Sequence, residues 1–462
     1  MLAIFLALFG SFWFAASMTF INRGVLSIDY FRGLLANLCV NTVFLWLYVV
    51  LFVENIELWL PVNGIFVAIG ILVPGVARFL IFKGMVAYTL LDADSHVSEP
   101  LNLWQERLPA KYRDKAPRML TEHEGRPGAW WLIEEDRHPH NVILGFGGNK
   151  TLEELQQLLK SFSYAGAHRG GWDPAQRVKD MDQDGVAGDV LYTTLGFRMF
   201  WIRDPGFQRA CFRVYNDWLA EFCSYAPQRL KGLGLISLYD PKQGVEDLEE
   251  CAKKGLSGGL IWASPPDDLP FYSEAYDPFW AAAQELAMPL SLHEFAGLQW
   301  VDWDSNDKKR TVAGAINSHE VEKTFATLIL SGILEKFPRL KVISAELNCG
   351  WLPYFLRRMD ERFAFRGTRL HGSPFSTKLT LKPSDYFRRQ LYATFIDDSF
   401  GVAHRSEIGV DNLLWSSDFP HSATFWPHSR EKIAKDFEGV SEEDKRKILS
   451  ENVAQLYGFD VN

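Results

Sequence analysis

The chain of 462 residues exceeds one ordinary domain, although a (β/α)8 barrel alone takes about 250 residues or more. Hydrophobic residues make up 47% and charged residues 23%, and the net charge of −9 comes without a basic stripe, which argues against nucleic acid as the main partner. Five scattered cysteines, Cys39, Cys211, Cys223, Cys251 and Cys349, are odd in number and form no CxxC pair, a reduced usage that argues against a disulfide framework.

The first ninety residues differ from the rest. Leu2–Phe20, Gly33–Val53 and Leu60–Ala77 carry no charge. A bilayer core needs roughly 20 apolar residues per helix, so about three transmembrane helices are expected over residues 1–88. Arg23 and Arg32 lie in the first loop, and Lys83, Arg107, Lys111 and Arg113 follow the third run, while Glu54–Trp59 holds no basic residue. The excess of basic residues on cytoplasmic loops then places both basic regions inside, with Met1 outside. The expected location is the membrane, with the remainder on the cytoplasmic side. Gly10-Ser-Phe-Trp13, Tyr30-Phe-Arg32 and Gly75-Val-Ala-Arg-Phe-Leu-Ile-Phe-Lys-Gly84 resemble the first part of a drug/metabolite transporter superfamily repeat. Three spans are fewer than such transporters use, so the segment reads as an anchor.

From Leu91 onward, apolar strand-like runs alternate with amphipathic stretches, the mark of parallel α/β architecture. Eight strands are expected: Leu91–Asp94, Gly188–Thr194, Leu233–Leu238, Gly258–Ala263, Pro289–Glu294, Lys341–Glu346, Leu391–Ile396 and Leu413–Asp418. Eight is the number that closes a TIM barrel, here over residues 89–462. Helices are expected at Gln243–Lys254, Pro278–Ala287, Val321–Phe337, Pro353–Phe365 and Ser441–Tyr457. A long insertion after the first strand, residues 100–176, holds Trp104, Trp130, Trp131 and Trp172 and reads as a cap over the barrel mouth.

The chemistry is signalled by position. Asp94 and His96 follow the first strand, His293 ends the fifth, Glu346 the sixth and Asp418 the eighth. All five would project into the mouth, where barrels keep their active sites. Imidazole and carboxylate together suit Zn²⁺, Mn²⁺ or Fe²⁺. Asp94 and His96 are two apart, so both point to one side of a strand. No GxGxxG or P-loop motif occurs, so no nucleotide cofactor is expected.

Leu91-Asp-Ala-Asp-Ser-His-Val-Ser-Glu-Pro100, Arg177-Val-Lys-Asp-Met-Asp182, Ser331-Gly-Ile-Leu-Glu-Lys-Phe-Pro338, Trp415-Ser-Ser-Asp-Phe-Pro-His421 and Glu451-Asn-Val-Ala-Gln-Leu-Tyr457 occur in this order. Over residues 91–458 the chain resembles the amidohydrolase-related family that includes aminocarboxymuconate-semialdehyde decarboxylase. The resemblance implies one divalent metal ion, Zn²⁺ or Mn²⁺, held by Asp94, His96, His293 and Asp418, and a possible homodimer. The family's usual first motif is His-x-His, and Asp94 stands in place of its first His. A carboxylate there favours harder ions. Many members carry a catalytic His after the sixth strand. Here the segment reads Ala345-Glu-Leu-Asn-Cys-Gly-Trp351, with Leu347 about where that His stands, so either Glu346 or His319 takes over as acid/base or that step is absent.

Two reactions follow. In the first, hydrolysis of a carbonyl, lactone or amide, Asp418 takes the proton of a metal-activated water and Glu346 orients water or substrate. In the alternative, nonoxidative decarboxylation of an aromatic or unsaturated acid, a protein acid protonates carbon, and Trp130, Trp131 and Trp300 wall the substrate. A third reading is a non-catalytic, membrane-anchored barrel. Glu99, His421 and Phe395-Ile-Asp-Asp398 are expected around the ligands, His138, His140 and His168 in the cap, and Cys349 as a buried thiol.

Overall fold

The computed structural model describes residues 88–461, apart from 136–138, 149, 161, 163, 298–311, 313 and 370–378. The chain divides into Met1–Ala87 and Tyr88–Asn462. The three expected membrane spans lie outside the described residues. Among the described residues, no helix is long and apolar enough to cross a membrane.

The second unit contains β1 (Leu91–His96), β2 (Arg118–His123), β3 (Arg126–Leu132), β4 (His140–Asn141), β5 (Gly188–Tyr192), β6 (Leu230–Leu235), β7 (Gly258–Ile261), β8 (Leu290–His293), β9 (Val342–Ala345), β10 (Leu391–Phe395) and β11 (Leu413–Trp415). Eight of them form one sheet in the order β1-β5-β6-β7-β8-β9-β10-β11, and each neighbouring pair in that order is parallel. Parallel strands covered on both faces read as continuous apolar runs, and β5, β7, β8 and β9 are buried along their whole length. Helices sit between successive strands and supply the outer layer.

The ring is drawn shut beside the expected ligands. Asp418 N–H donates to the Asp94 carbonyl at 3.0 Å, and His96 N–H donates to the Phe419 carbonyl at 2.6 Å. The β1–β5 register shifts between Asp92 and Ser95. A bulge there re-aims side chains, and it falls on Asp94.

Several helices begin with the same device. Asp173, Asp204 and Asp240 each accept a hydrogen bond from a first-turn N–H and are each followed by proline. Asp satisfies an orphan donor, and proline at the first position loses none.

Differences from expectation are local. The third barrel strand runs Leu230–Leu235, three residues earlier than the hydrophobic run suggested. The helix expected over Val321–Phe337 is two, His319–Leu330 and Ile333–Lys336, because Gly332 turns left-handed at φ +83°. The insertion after β1 builds its own antiparallel sheet, β2-β3-β4. Its first hairpin turns on Glu124 and Gly125, both at positive φ, the backbone that two-residue hairpin loops require.

Candidate metal centre

Four chain segments deliver polar side chains to one point. Asp94 and His96 come from β1, His293 closes β8, and Glu346 and Asp418 follow β9 and β11. His96 Nε2 lies 3.5 Å from Asp94 Oδ1 and 3.1 Å from Asp418 Oδ1. His293 Nε2 lies 3.9 Å from Asp94 Oδ1 and 2.9 Å from Glu346 Oε2. Donors roughly 2.1 Å from one ion stand roughly 3–4 Å apart, so these separations are those of a shared coordination sphere. Asp94 Oδ1, His96 Nε2, His293 Nε2, Glu346 Oε2 and Asp418 Oδ1 are all buried without a hydrogen-bond partner. Converging orphans of this kind are costly unless a cation satisfies them. The residues present therefore fit one divalent metal ion.

The remaining atoms of the ligands are held. His96 Nδ1 sits 2.9 Å from the Thr193 carbonyl, which fixes the ring with Nε2 toward the cluster. Thr394 Oγ1 donates to Asp94 Oδ2 at 3.1 Å and accepts from Glu346 N–H at 2.9 Å. Asp92 Oδ1 accepts from Asp94 N–H and Ser417 N–H at 3.1 and 3.0 Å, tying the two ligand-bearing segments together. Glu346 and Asp418 adopt φ of +63° and +56°. Such left-handed backbone is unfavourable for these residue types and persists where surroundings impose it.

Burial sets the protonation states. It lowers His96 to about 4, aided by the charge of His421 and opposed by Asp418. Burial and the neighbouring His96 lower His293 well below the usual imidazole value. Both rings are thus neutral at pH 7, as ligation requires. Burial and then the Asp418 charge raise the Asp94 and Glu346 carboxyls well above their ordinary range. Burial pushes Asp418 up as well, but its contacts with His421 and His96 outweigh that and hold it low.

The structure brings together Asp94, His96, His293, Glu346 and Asp418. It does not bring in His319, which is exposed at the start of its helix and belongs to neither donor cluster. Leu347 is buried, and Glu346, one residue earlier, turns its carboxylate to His293. The tryptophans expected as walls are placed as follows. Trp131 packs on Trp104 inside the cap, Trp130 lies against His123 and Arg126, and Trp300 lies outside the described residues. Phe197 stacks 4.1 Å from the His293 ring, with Phe295 6.3 Å away.

His421 reaches further than expected. Its ring stacks on His96 at 3.8 Å, its Nδ1 lies 3.0 Å from Asp418 Oδ1, and its Nε2 lies 2.8 Å from Thr194 Oγ1. Glu294, not singled out as chemistry, follows His293. Burial raises its carboxyl to about 7, against an Asn317 hydrogen bond and the Arg198 charge. Its signal was a charged residue closing an apolar strand. His168 pairs with Asp180 at 3.4 Å, His140 packs against Trp201, and His138 lies outside the described residues. Asp398 accepts from Cys349 and Gly350 N–H and so fixes the turn after β9. Cys349 is buried, which pushes its thiol well up.

A family model described as Amidohydrolase matches residues 133–459. A gamma-resorcylate decarboxylase of Polaromonas sp. is 30% identical over 302 residues, 61% of this chain and 86% of that protein. The crystal structure of an amidohydrolase from Mycobacterium avium subsp. paratuberculosis K-10 superposes with a TM-score of 0.63 at 21% identity, covering 80% of this chain and 99% of that one. A dihydroxybenzoic acid decarboxylase from Polaromonas sp., solved with bound manganese and the inhibitor 2-nitroresorcinol, gives a TM-score of 0.54 at 22% identity over 80% and 97%. The two structures speak for the fold alone. None of these matches supports the transporter resemblance of the N-terminal segment.

Proposed function

This chain belongs to the amidohydrolase family and is an enzyme, and we propose that it is a metal-dependent, nonoxidative decarboxylase of a hydroxylated aromatic acid. The observation that carries this reading over hydrolysis is Glu346. It turns a carboxyl, raised well above its ordinary range by burial and the Asp418 charge, toward the ligand cluster, 2.9 Å from His293. Hydrolysis asks for a base beside water, whereas decarboxylation asks for an acid beside carbon. The 30% identity to a gamma-resorcylate decarboxylase points the same way, so the hydrolytic reading ranked first from sequence becomes the second.

Asp94, His96, His293 and Asp418 hold the ion, manganese being favoured by the two carboxylates. The bound ion supplies Lewis acidity toward the oxygens of the substrate. Phe197, stacked on His293, offers a flat apolar face against which an aromatic ring packs. The bond from ring carbon to carboxylate breaks, its electron pair stays on carbon, and CO₂ leaves. Glu346 gives its proton to that carbon and regains one from water. Like-charge repulsion from the neighbouring Glu294 raises the Glu346 carboxyl further.

The test is to load the purified protein with Mn²⁺ and supply 2,6-dihydroxybenzoate and related hydroxybenzoates in D₂O. CO₂ release with one deuterium at the vacated carbon is expected. Hydrolysis of lactones or amides without CO₂ from any of these acids would restore the hydrolase reading. Glu346→Gln should lower kcat about 10²-fold or more while metal content is retained. We further propose that residues 1–87 anchor the chain in a membrane with the barrel on the cytoplasmic side, on the strength of their three uncharged runs.

A further inference from the structure

One buried carboxylate outside the ligand cluster organises all three of its imidazoles. Glu99 is wholly buried, three residues beyond His96. Both its oxygens are taken up by the segment that follows β5. Oε1 accepts from the Thr193 hydroxyl and from Thr194 and Gly196 N–H, the last two at 3.2 and 3.3 Å. Oε2 accepts from Leu195 N–H at 2.9 Å. Gly196 N–H also donates to Thr193 Oγ1 at 2.8 Å, and a Cβ on Gly196 would stand 2.3 Å from that oxygen, so the close approach requires glycine.

The segment so gripped, with Phe197 that follows it, reaches all three histidines. The Thr193 carbonyl receives His96 Nδ1 at 2.9 Å. Thr194 Oγ1 meets His421 Nε2 at 2.8 Å, and His421 in turn faces Asp418 and lies over His96. Phe197 stacks on His293. A turn of four residues has many backbone states, and nothing in its own composition, Thr-Thr-Leu-Gly, selects this one. A buried carboxylate with four donors does, because leaving any donor unmatched in that interior costs free energy.

We propose that Glu99 is a positioning residue for the metal centre: by clamping Thr193–Gly196 it sets the orientation of His96, His421 and His293 together, and so the affinity and geometry with which the site takes a divalent ion. The assignment concerns the ion alone and is independent of which acid is the substrate. Gln at this position keeps the shape but has one acceptor oxygen, and its amide N–H₂ would face donors.

The test uses the full-length protein and two metals without substrate. Chelator competition gives the Mn²⁺ affinity, and the visible ligand-field spectrum of the Co²⁺-loaded protein reports geometry. Glu99→Gln is expected to weaken Mn²⁺ at least about tenfold, the scale of contacts that orient metal ligands, and to shift the Co²⁺ bands. Thr194→Val, which leaves the four donors on Glu99 in place and removes only the His421 contact, should shift the Co²⁺ bands and weaken Mn²⁺ by less than Glu99→Gln does. Should Glu99→Gln fail to fold, Gly196→Ala, which disturbs the clamp from the other side, must reproduce the weakened binding. Unaltered Mn²⁺ affinity and Co²⁺ spectrum in the folded clamp variant overturn the proposal, even if its thermal stability falls.

Discussion

Asp94 carries a consequence for how the ion enters. Burial and the Asp418 charge raise its carboxyl well above the ordinary range, whereas burial lowers His96 to about 4 and His293 well below the usual imidazole value. Ligation needs ionised carboxylate and neutral imidazole. Metal binding should therefore expel a proton from Asp94 and none from the imidazoles. Since a proton is released, the affinity should rise with pH while the Asp94 carboxyl is still protonated in the free protein. A dye-coupled titration of the metal-free protein with Mn²⁺ measures the release directly, and a binding constant flat between pH 6 and 8, with no proton appearing, would refute it. Asp94, His96, His293 and Asp418 were legible in the sequence because each polar group closes or follows an apolar strand, where only function justifies it. Glu294 had the same signal but was masked by its neighbour His293. The substitute acid was narrowed only to Glu346 or His319. The choice depends on the left-handed turn at Glu346, φ +63°, which no local pattern announces.

At the scale of elements, the cap closes on the mouth through backbone. Gly148 N–H donates to the Pro420 carbonyl at 2.9 Å, and Ser422 N–H donates to that of Leu144 at 3.0 Å. This seam lies two residues beyond Asp418. A Cβ on Gly148 would meet the Pro420 carbonyl oxygen at 2.3 Å, backbone that cannot swing aside as a side chain can. Gly148→Ala should cost about 1–3 kcal/mol of stability as an overpacking change. It should also lower kcat/KM, because relief requires moving the segment that bears Asp418. Wild-type turnover together with a wild-type melting temperature would show the seam to be soft. The barrel strands were readable because each is a short apolar run between breakers. Their ends were less so: expectation carried the last strand to Asp418, but β11 stops at Trp415, where Ser416 begins the turn into the mouth. The cap sheet was not foreseen, because β2 is mostly half-exposed and shows little apolar alternation, although the Glu124-Gly125 pair marks its turn.

For the molecule as a whole, the composition break near residue 88 coincides with the division into Met1–Ala87 and Tyr88–Asn462. The buried core, the ring of strands and all five donors belong to the second unit. That unit should fold and load metal alone, with the ion contributing to its stability by mass action. Free Mn²⁺ at a hundred times its dissociation constant adds about 2.7 kcal/mol, so chelation should lower the melting temperature and added Mn²⁺ restore it. The proposed anchor puts the two units in different solvents. Leu2–Phe20, Gly33–Val53 and Leu60–Ala77 are each about the length that spans a hydrocarbon core, while the second unit has an ordinary charged surface. In fractionated cells the full chain should sediment with membranes and resist extraction by carbonate, while residues 88–462 should stay in the supernatant with comparable metal content. For the anchor as proposed, Arg23 and Arg32 against the loop Glu54–Trp59, which holds no basic residue, set the expected orientation. Protease added to sealed inside-out vesicles should cleave the barrel, and protection there combined with cleavage in right-side-out vesicles would reverse the orientation without touching the chemistry.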